Sequence, residues 1–248
     1  MYRGSRKHVL DWVEQTAFLT ELLELAESAS PRVSPTSRWM PRSYREPDEA
    51  RLETFGPNWL PNHPAWAQIR KWWLVHERGA NTPNWDIAVG CELEGRPGLI
   101  VVEAKANKSE LKVDGKILDA GASNNSVAND GNIREAIAEA CRGLRCLEPN
   151  VAISCDSHYQ LANRLAFTWK LATLGIPTVL IYLGFYGDTG IADVGPPFQS
   201  SDDWRRTVEA YVATTGCGAL FERRLDCGAA PAWMFARARP VLEVSAVG

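Results

Sequence analysis

The stretch LIVVEAKAN, residues 99–107, runs an apolar strand straight into two opposite charges, Glu103 and Lys105. Side chains along a strand alternate between its faces, so Glu103 and Lys105 share one side while Ile100, Val102, Ala104 and Ala106 share the other. The preceding apolar stretch, NWDIAVGCEL, carries Asp86. If the two strands form an antiparallel hairpin with an even loop, Asp86, Ala88 and Gly90 fall on the face of Glu103 and Lys105, and the apolar rows coincide on the other. That predicts an open charged face lined by small residues.

Register decides whether these groups can act together. A turn centred on Arg96 and Pro97 sets Asp86 opposite Asn107, roughly 13 Å along the strand from Glu103 at about 3.3 Å per residue. A turn centred on Glu94 and Gly95, or a bulge near Pro97 and Gly98, sets Asp86 directly opposite Glu103, about 5 Å away at Cβ. Two carboxylates so close repel unless a positive charge lies between them. A hard divalent cation, Mg²⁺ or Mn²⁺, suits oxygen ligands and keeps waters in its remaining positions. Lys105 could then orient or deprotonate a metal-bound water and stabilise charge on a phosphate. The plain alternative is an exposed Glu–Lys ion pair of little energetic weight; Asp86 on the same face argues for chemistry.

The surrounding elements must hold this hairpin in place. Residues 8–27 show helical spacing of Val9, Trp12, Val13, Phe18, Leu19, Leu22 and Leu25, which predicts one amphipathic helix. Residues 30–46, with three prolines and four arginines, read as an extended basic arm that could track phosphates or simply connect. A helix is expected over 64–78, started by Pro64 and stopped by Gly79, burying Trp66, Ile69, Trp73 and Val75. Strands are expected over 85–93 and 98–106, then a polar segment, 107–131, long enough to be a loop beside a site. A helix (132–147), a strand (151–155), a helix (158–175) and a buried strand (177–185) follow. A helix over 202–213 and short terminal strands close the chain. Alternating strands and helices after a hairpin predict an α/β fold with a mixed central sheet flanked by helices.

Asp86, sixteen intervening residues and then Glu103-Ala104-Lys105 at the end of an apolar strand, followed by helix, strand, helix and strand, resembles the PD-(D/E)xK nuclease superfamily and its restriction-endonuclease-like fold. The likeness covers roughly residues 64–185; Trp85 precedes Asp86 where the family's name has proline. The resemblance implies a nuclease-like core over 64–190, with an N-terminal helical region and arm (1–63) and a C-terminal addition (191–248) packed on it. It implies Asp86, Glu103 and the Ala104 carbonyl as metal ligands, Lys105 as the water-positioning group, and hydrolysis of phosphodiester bonds with Mg²⁺ or Mn²⁺. Many members carry a further acid on the preceding helix, for which Glu77 is the candidate. Asn107, Lys108 and Arg134 are the expected substrate-binding residues, with Lys112, Lys116, Arg142 and Arg145 as further basic groups.

Composition narrows the partners. The formal net charge is −3 over 248 residues, which excludes a general basic coat and requires a local basic surface for any nucleic acid, DNA before RNA. A homodimer is one assembly open to the chain, and the sequence does not fix the oligomeric state. No apolar run approaches the roughly 18 to 20 residues that cross a bilayer, and a signal peptide is not recognisable, so a cytoplasmic protein without membrane partners is expected. The six cysteines form no CxxC pair and read as reduced and structural; Cys155 and His158 have ligand-like spacing without a second pair. A silent nucleic-acid-binding or assembly module is the alternative reading. A glycosidase built on paired carboxylates is weakened by the lysine among them.

Overall fold

A computed structural model describes residues 2–34, 36–78 and 80–242. Helices α1 (Gly4–Val13) and α2 (Phe18–Leu25) are followed by two-residue strands β1 (Trp39–Met40) and β2 (Ala50–Arg51), then α3 (Leu52–Trp59), α4 (Ala65–Trp73) and β3 (Asn84–Trp85). The long hairpin is β4 (Ile87–Leu93) and β5 (Arg96–Lys105). Helices α5 (Asn124–Arg145) and α6 (Tyr159–Thr173) lead to β6 (Thr178–Tyr186), and α7 (Ser201–Ala213), β7 (Arg224–Asp226) and β8 (Pro231–Pro240) complete the described chain. The main sheet has the order β1-β4-β5-β6-β8-β7; β5, β6 and β8 run parallel and the other neighbours antiparallel. The α/β class and the mixed sheet are as expected. No helix among the described residues is long and apolar enough to cross a membrane.

The hairpin turns at Glu94 and Gly95, both with positive φ (49° and 74°), the backbone of a two-residue turn whose twist matches that of the strands. Its register pairs Ile87 with Val102, Val89 with Ile100 and Leu93 with Arg96. The apolar row of Ile87, Val89, Cys91, Ile100 and Val102 is buried against Val9, Trp12, Phe18 and Leu22 of α1 and α2. These two helices replace the single helix expected over 8–27. Trp12 and Phe18 would lie about 120° apart around one continuous helix; the break lets them meet edge to face at 5.0 Å, both buried against the sheet.

The opposite sheet face is covered by α3 to α7 around Trp66, Trp73, Trp85, Phe167 and Trp204. Four expectations change here. The helix over 64–78 ends at Trp73, where Asn129 of α5 takes up the backbone: it accepts the N–H groups of Val75 and His76 (3.0 and 2.9 Å) and donates to the His76 carbonyl (2.8 Å), occupying groups that a further helical turn would use. Val75 is consequently exposed, and the expected stop at Gly79 lies outside the described residues. Helix α5 begins at Asn124, capped by Ser123, so it absorbs the end of the expected loop. Residues 151–155 alternate in burial as a strand would, yet lie outside the sheet, tied by the Ala152 N–H to the Thr215 carbonyl (2.8 Å).

Helices α1 and α2 of the N-terminal region cover one face of the sheet, and β8, in the C-terminal region, is a ten-residue interior strand between β6 and β7 and not one of the short strands expected there. The basic arm lies along the β4 edge, where Arg32 bridges Glu92 and Trp39 pairs with Val89, which protects that edge from other strands.

Candidate active site

The carboxylate site forms where β4 leaves the sheet. Asn84 and Trp85 pair with β2 in a separate ribbon, and the chain bends at Asp86. Extending the hairpin register by one residue sets Asp86 opposite Glu103, the arrangement the Glu94-Gly95 turn requires. With β4 diverted, the Ala104 N–H has lost its neighbouring strand, and Asp86 Oδ2 accepts it at 2.7 Å. Asp86 Oδ1 makes no hydrogen bond among the described residues, and the side chain lines a cleft of about 1050 Å³ with Glu103, Ala104 and Lys105.

Glu103 and Lys105 are buried, with only 2% and 4% of their surface exposed, which removes the reading of a solvated surface pair. Lys105 Nζ donates to Glu103 Oε1 in a short contact and to Gln160 Oε1 at 2.9 Å. Gln160 Nε2 donates to the same Glu103 oxygen at 2.7 Å. Arg164 Nε donates to Glu103 Oε2 at 2.5 Å, while its other nitrogens reach Asn163 Oδ1 and the Asn84 carbonyl (2.8 and 2.7 Å). The guanidinium stacks over Trp85, 4.6 Å from the ring centroid. Arg164 thereby ties α6, β5 and the bend before Asp86 into one unit.

These surroundings drive the two acids apart. Burial and the neighbouring Glu103 charge push Asp86 well above the usual carboxylate range, against the pull of Lys105 and the Ala104 N–H. Burial also works to raise Glu103, but Arg164 and then Lys105 outweigh it and hold Glu103 below its ordinary value. The positive charge expected between the acids is thus supplied in part by the protein itself, through Arg164.

Small residues do not leave the whole charged face open. The space above Gly90 is filled by Trp59: a Cβ at Gly90 would lie 2.1 Å from the indole nitrogen. Only the Asp86 end of the face opens to the cleft. Glu49 and Glu110 also line it, Glu110 raised by burial and bonded to Asn107 Nδ2 (2.7 Å).

The remaining expected residues lie apart from this cluster. Asn107 is buried, accepts the Ser109 N–H at 3.0 Å and donates to Glu110, so it caps the 3₁₀ turn at Lys108–Glu110 instead of facing a ligand. Lys108 pairs with Asp203 at 2.8 Å. Arg134 is held by Asp130 and Asp156 (2.8 and 2.7 Å). Glu77 follows the end of α4, is exposed and pairs with Arg70 at 3.2 Å, outside the cleft. Gln160 and Arg164 had escaped notice; their i, i+4 spacing on one helix face is the signal that could have found them. Glu49 offers no such signal, since only the β2–β3 ribbon brings it near.

Among the described residues no group of three or more His, Cys, Asp or Glu side chains is arranged to hold a metal ion. Magnesium, however, commonly takes one or two carboxylates and keeps several waters. Asp86 Oδ1 is free of hydrogen bonds among the described residues, and Glu49, Glu110 and Asp114 line the same cleft as further hard oxygen donors. In donor chemistry the residues fit such an ion. No protein-family model, curated protein or solved structure matches this chain.

Proposed function

We propose that this chain is a metal-dependent nuclease, an endonuclease that hydrolyses phosphodiester bonds of nucleic acid, DNA before RNA, on a restriction-endonuclease-like core of the PD-(D/E)xK kind. One observation carries the reading. The β4–β5 register sets Asp86 opposite Glu103, with Lys105 beside them, at the end of the sheet that opens into a large cleft. Such an arrangement of two acids and a lysine has a purpose at a phosphate that a purely structural pair lacks.

Asp86, Glu103 and the Ala104 carbonyl would hold the Mg²⁺ or Mn²⁺. Bound there, the ion supplies Lewis acidity and neutralises charge on the phosphate. Arg164 keeps Glu103 ionised, and Gln160 fixes Lys105 against it. The Lys105 ammonium, thus pre-positioned, orients the attacking water and stabilises charge that develops on the phosphate.

The second reading, a silent nucleic-acid-binding module, draws on a specific observation: both Glu103 oxygens are already engaged by Lys105, Gln160 and Arg164. Plasmid and single-stranded DNA incubated with Mg²⁺, Mn²⁺ or EDTA separate the two. Metal-dependent cleavage is expected, falling at least about a hundredfold in Lys105→Met and Asp86→Ala, within the range for loss of a positioned proton-handling group. Cleavage that survives both substitutions would end the assignment to this site, and binding without cleavage in any metal would favour the silent module.

A further inference from the structure

The polar segment between the 3₁₀ turn and α5 borders the cleft, with Lys112, Asp114, Gly115, Lys116 and Ile117 in its lining. Among the described residues, four of the eight exposed large hydrophobics are Val113, Ile117 and Leu118 of this segment and Val127 of the first turn of α5, and Ile117, 84% exposed, is the most exposed of them. Scattered exposed apolar groups are ordinary; Ile117 differs in lining a charged cleft.

Ile117 is also held firmly. Just before it, the Lys116 N–H donates to the Cys155 carbonyl (2.7 Å), and the N–H groups of His158 and Tyr159 donate to the carbonyls of Val113 and Asp114 (2.9 and 3.1 Å). Gly115 lies so close to this partner segment that a Cβ would sit 2.4 Å from the Asp156 carbonyl oxygen. Lys116 Nζ is fixed by Asp130 at 2.5 Å. Three backbone hydrogen bonds therefore fix residues 113–116 directly before Ile117, whose side chain stands in water at the cleft, and a backbone already fixed lowers the cost of ordering on binding.

The charge around Ile117 indicates what covers it. Lys112 and Lys116 line the same cleft, and among the described residues Lys112 has no carboxylate within ion-pair distance. A ligand that brings both a negative charge for Lys112 and a flat apolar surface for Ile117, beside Asp86 and Lys105, is a nucleic acid with an unstacked base. Resting on the nuclease reading above, we infer that Ile117 is a wedge that packs against an unpaired base next to the phosphate held in the cleft, so that single-stranded or frayed substrate is preferred to closed duplex.

The test uses the full chain, with binding read in EDTA and cleavage in Mg²⁺, on fluorescently labelled oligonucleotides carrying 2-aminopurine, either single-stranded or fully paired. Wild type should bind the single strand about tenfold more tightly and change the 2-aminopurine emission. Ile117→Ser should lose both the preference and the emission change while its melting temperature stays at the wild-type value. Lys112→Ala should weaken binding and reduce the single-strand salt slope by about 0.7, the share of one phosphate contact. If the wild type binds and cleaves but Ile117→Ser behaves identically, the wedge is overturned and the nuclease reading stands. If the wild type neither binds nor cleaves any oligonucleotide, both fall. Should Ile117→Ser dissociate a dimer in sedimentation without touching the preference, the rim belongs to a second copy of the chain and the wedge is likewise overturned.

Discussion

Two carboxylates in this molecule, Glu103 and Asp130, each sit between a lysine and an arginine, and they differ in what surrounds those cations. Glu103 is enclosed with Lys105 and Arg164, all under a tenth exposed. Asp130 is itself sheltered, but Arg134 is 41% exposed and its second partner, Asp156, is 78% exposed. Both acids are held below the usual range, and for both burial opposes that shift, so the charges overcome desolvation in each. At Asp130 the cations remain partly solvated and can fall back on water. Around Glu103 there is no such reservoir, so each member depends on the others. The same triad is therefore a surface fastening in one place and a pre-set electrostatic device in the other.

The comparison breaks first, and hardest, at Arg164. Arg164→Met removes the strongest opposing charge and leaves Glu103 with Lys105 alone beside Asp86. Breaking a buried pair costs about 3–5 kcal/mol, and the retained lysine places this case near 3. For a chain of this size that corresponds to a melting temperature lower by on the order of 10 °C. A loss under about 1 kcal/mol in urea denaturation would mean that the cluster is not desolvated as its burial indicates.

Why the hairpin was legible and Arg164 was not follows from range. Asp86, Glu103 and Lys105 are related by strand alternation and a two-residue turn, both readable within twenty residues, and requiring Asp86 opposite Glu103 leaves two arrangements, a bulge near Pro97 and Gly98 or the turn that exists at Glu94-Gly95. Arg164 lies sixty-one residues from Glu103, and nothing local distinguishes it from a solvated helix charge. The backbone just after α4 is taken up by Asn129, more than fifty residues away. Lys108 looks available because nothing in the chain order shows its partner Asp203 to be near; for Arg134 the i, i+4 acid Asp130 is readable in the sequence, and only Asp156 is brought to it by packing. The nature of the sheet was thus accessible from pattern, while the partners of its charged groups were decided by tertiary packing.

A smaller effect distinguishes the two triads by pH. Asp130 has its folded pKa lowered, after burial, by Lys116 and Arg134. Its contribution to stability is therefore complete above the unfolded aspartate value of about 3.9 and is lost as the pH falls through the lower folded value. Comparing wild type with Asp130→Asn should show a stability gap of about 1 kcal/mol at pH 6–7 that closes on acidification below about pH 4. A gap that stays constant down to pH 2 would mean that the asparagine lacks something other than the carboxylate charge.

The smallest effect is expected at Arg134, and it is the one that separates a fastening from a ligand-binding group. Its Nε and one terminal nitrogen already face Asp130 and Asp156, and an exposed pair contributes about 0.2–1 kcal/mol. Arg134→Ala should cost no more than that in a urea titration. Because Lys116 still holds Asp130, the rim that carries Ile117 should keep its place. The salt dependence of oligonucleotide binding should then match the wild type, in contrast to Lys112→Ala. A reduced slope in Arg134→Ala would show that a phosphate displaces Asp156 from the guanidinium, returning Arg134 to the substrate-binding role its position in the chain suggested and bringing the surface triad closer to the buried one than its exposure implies.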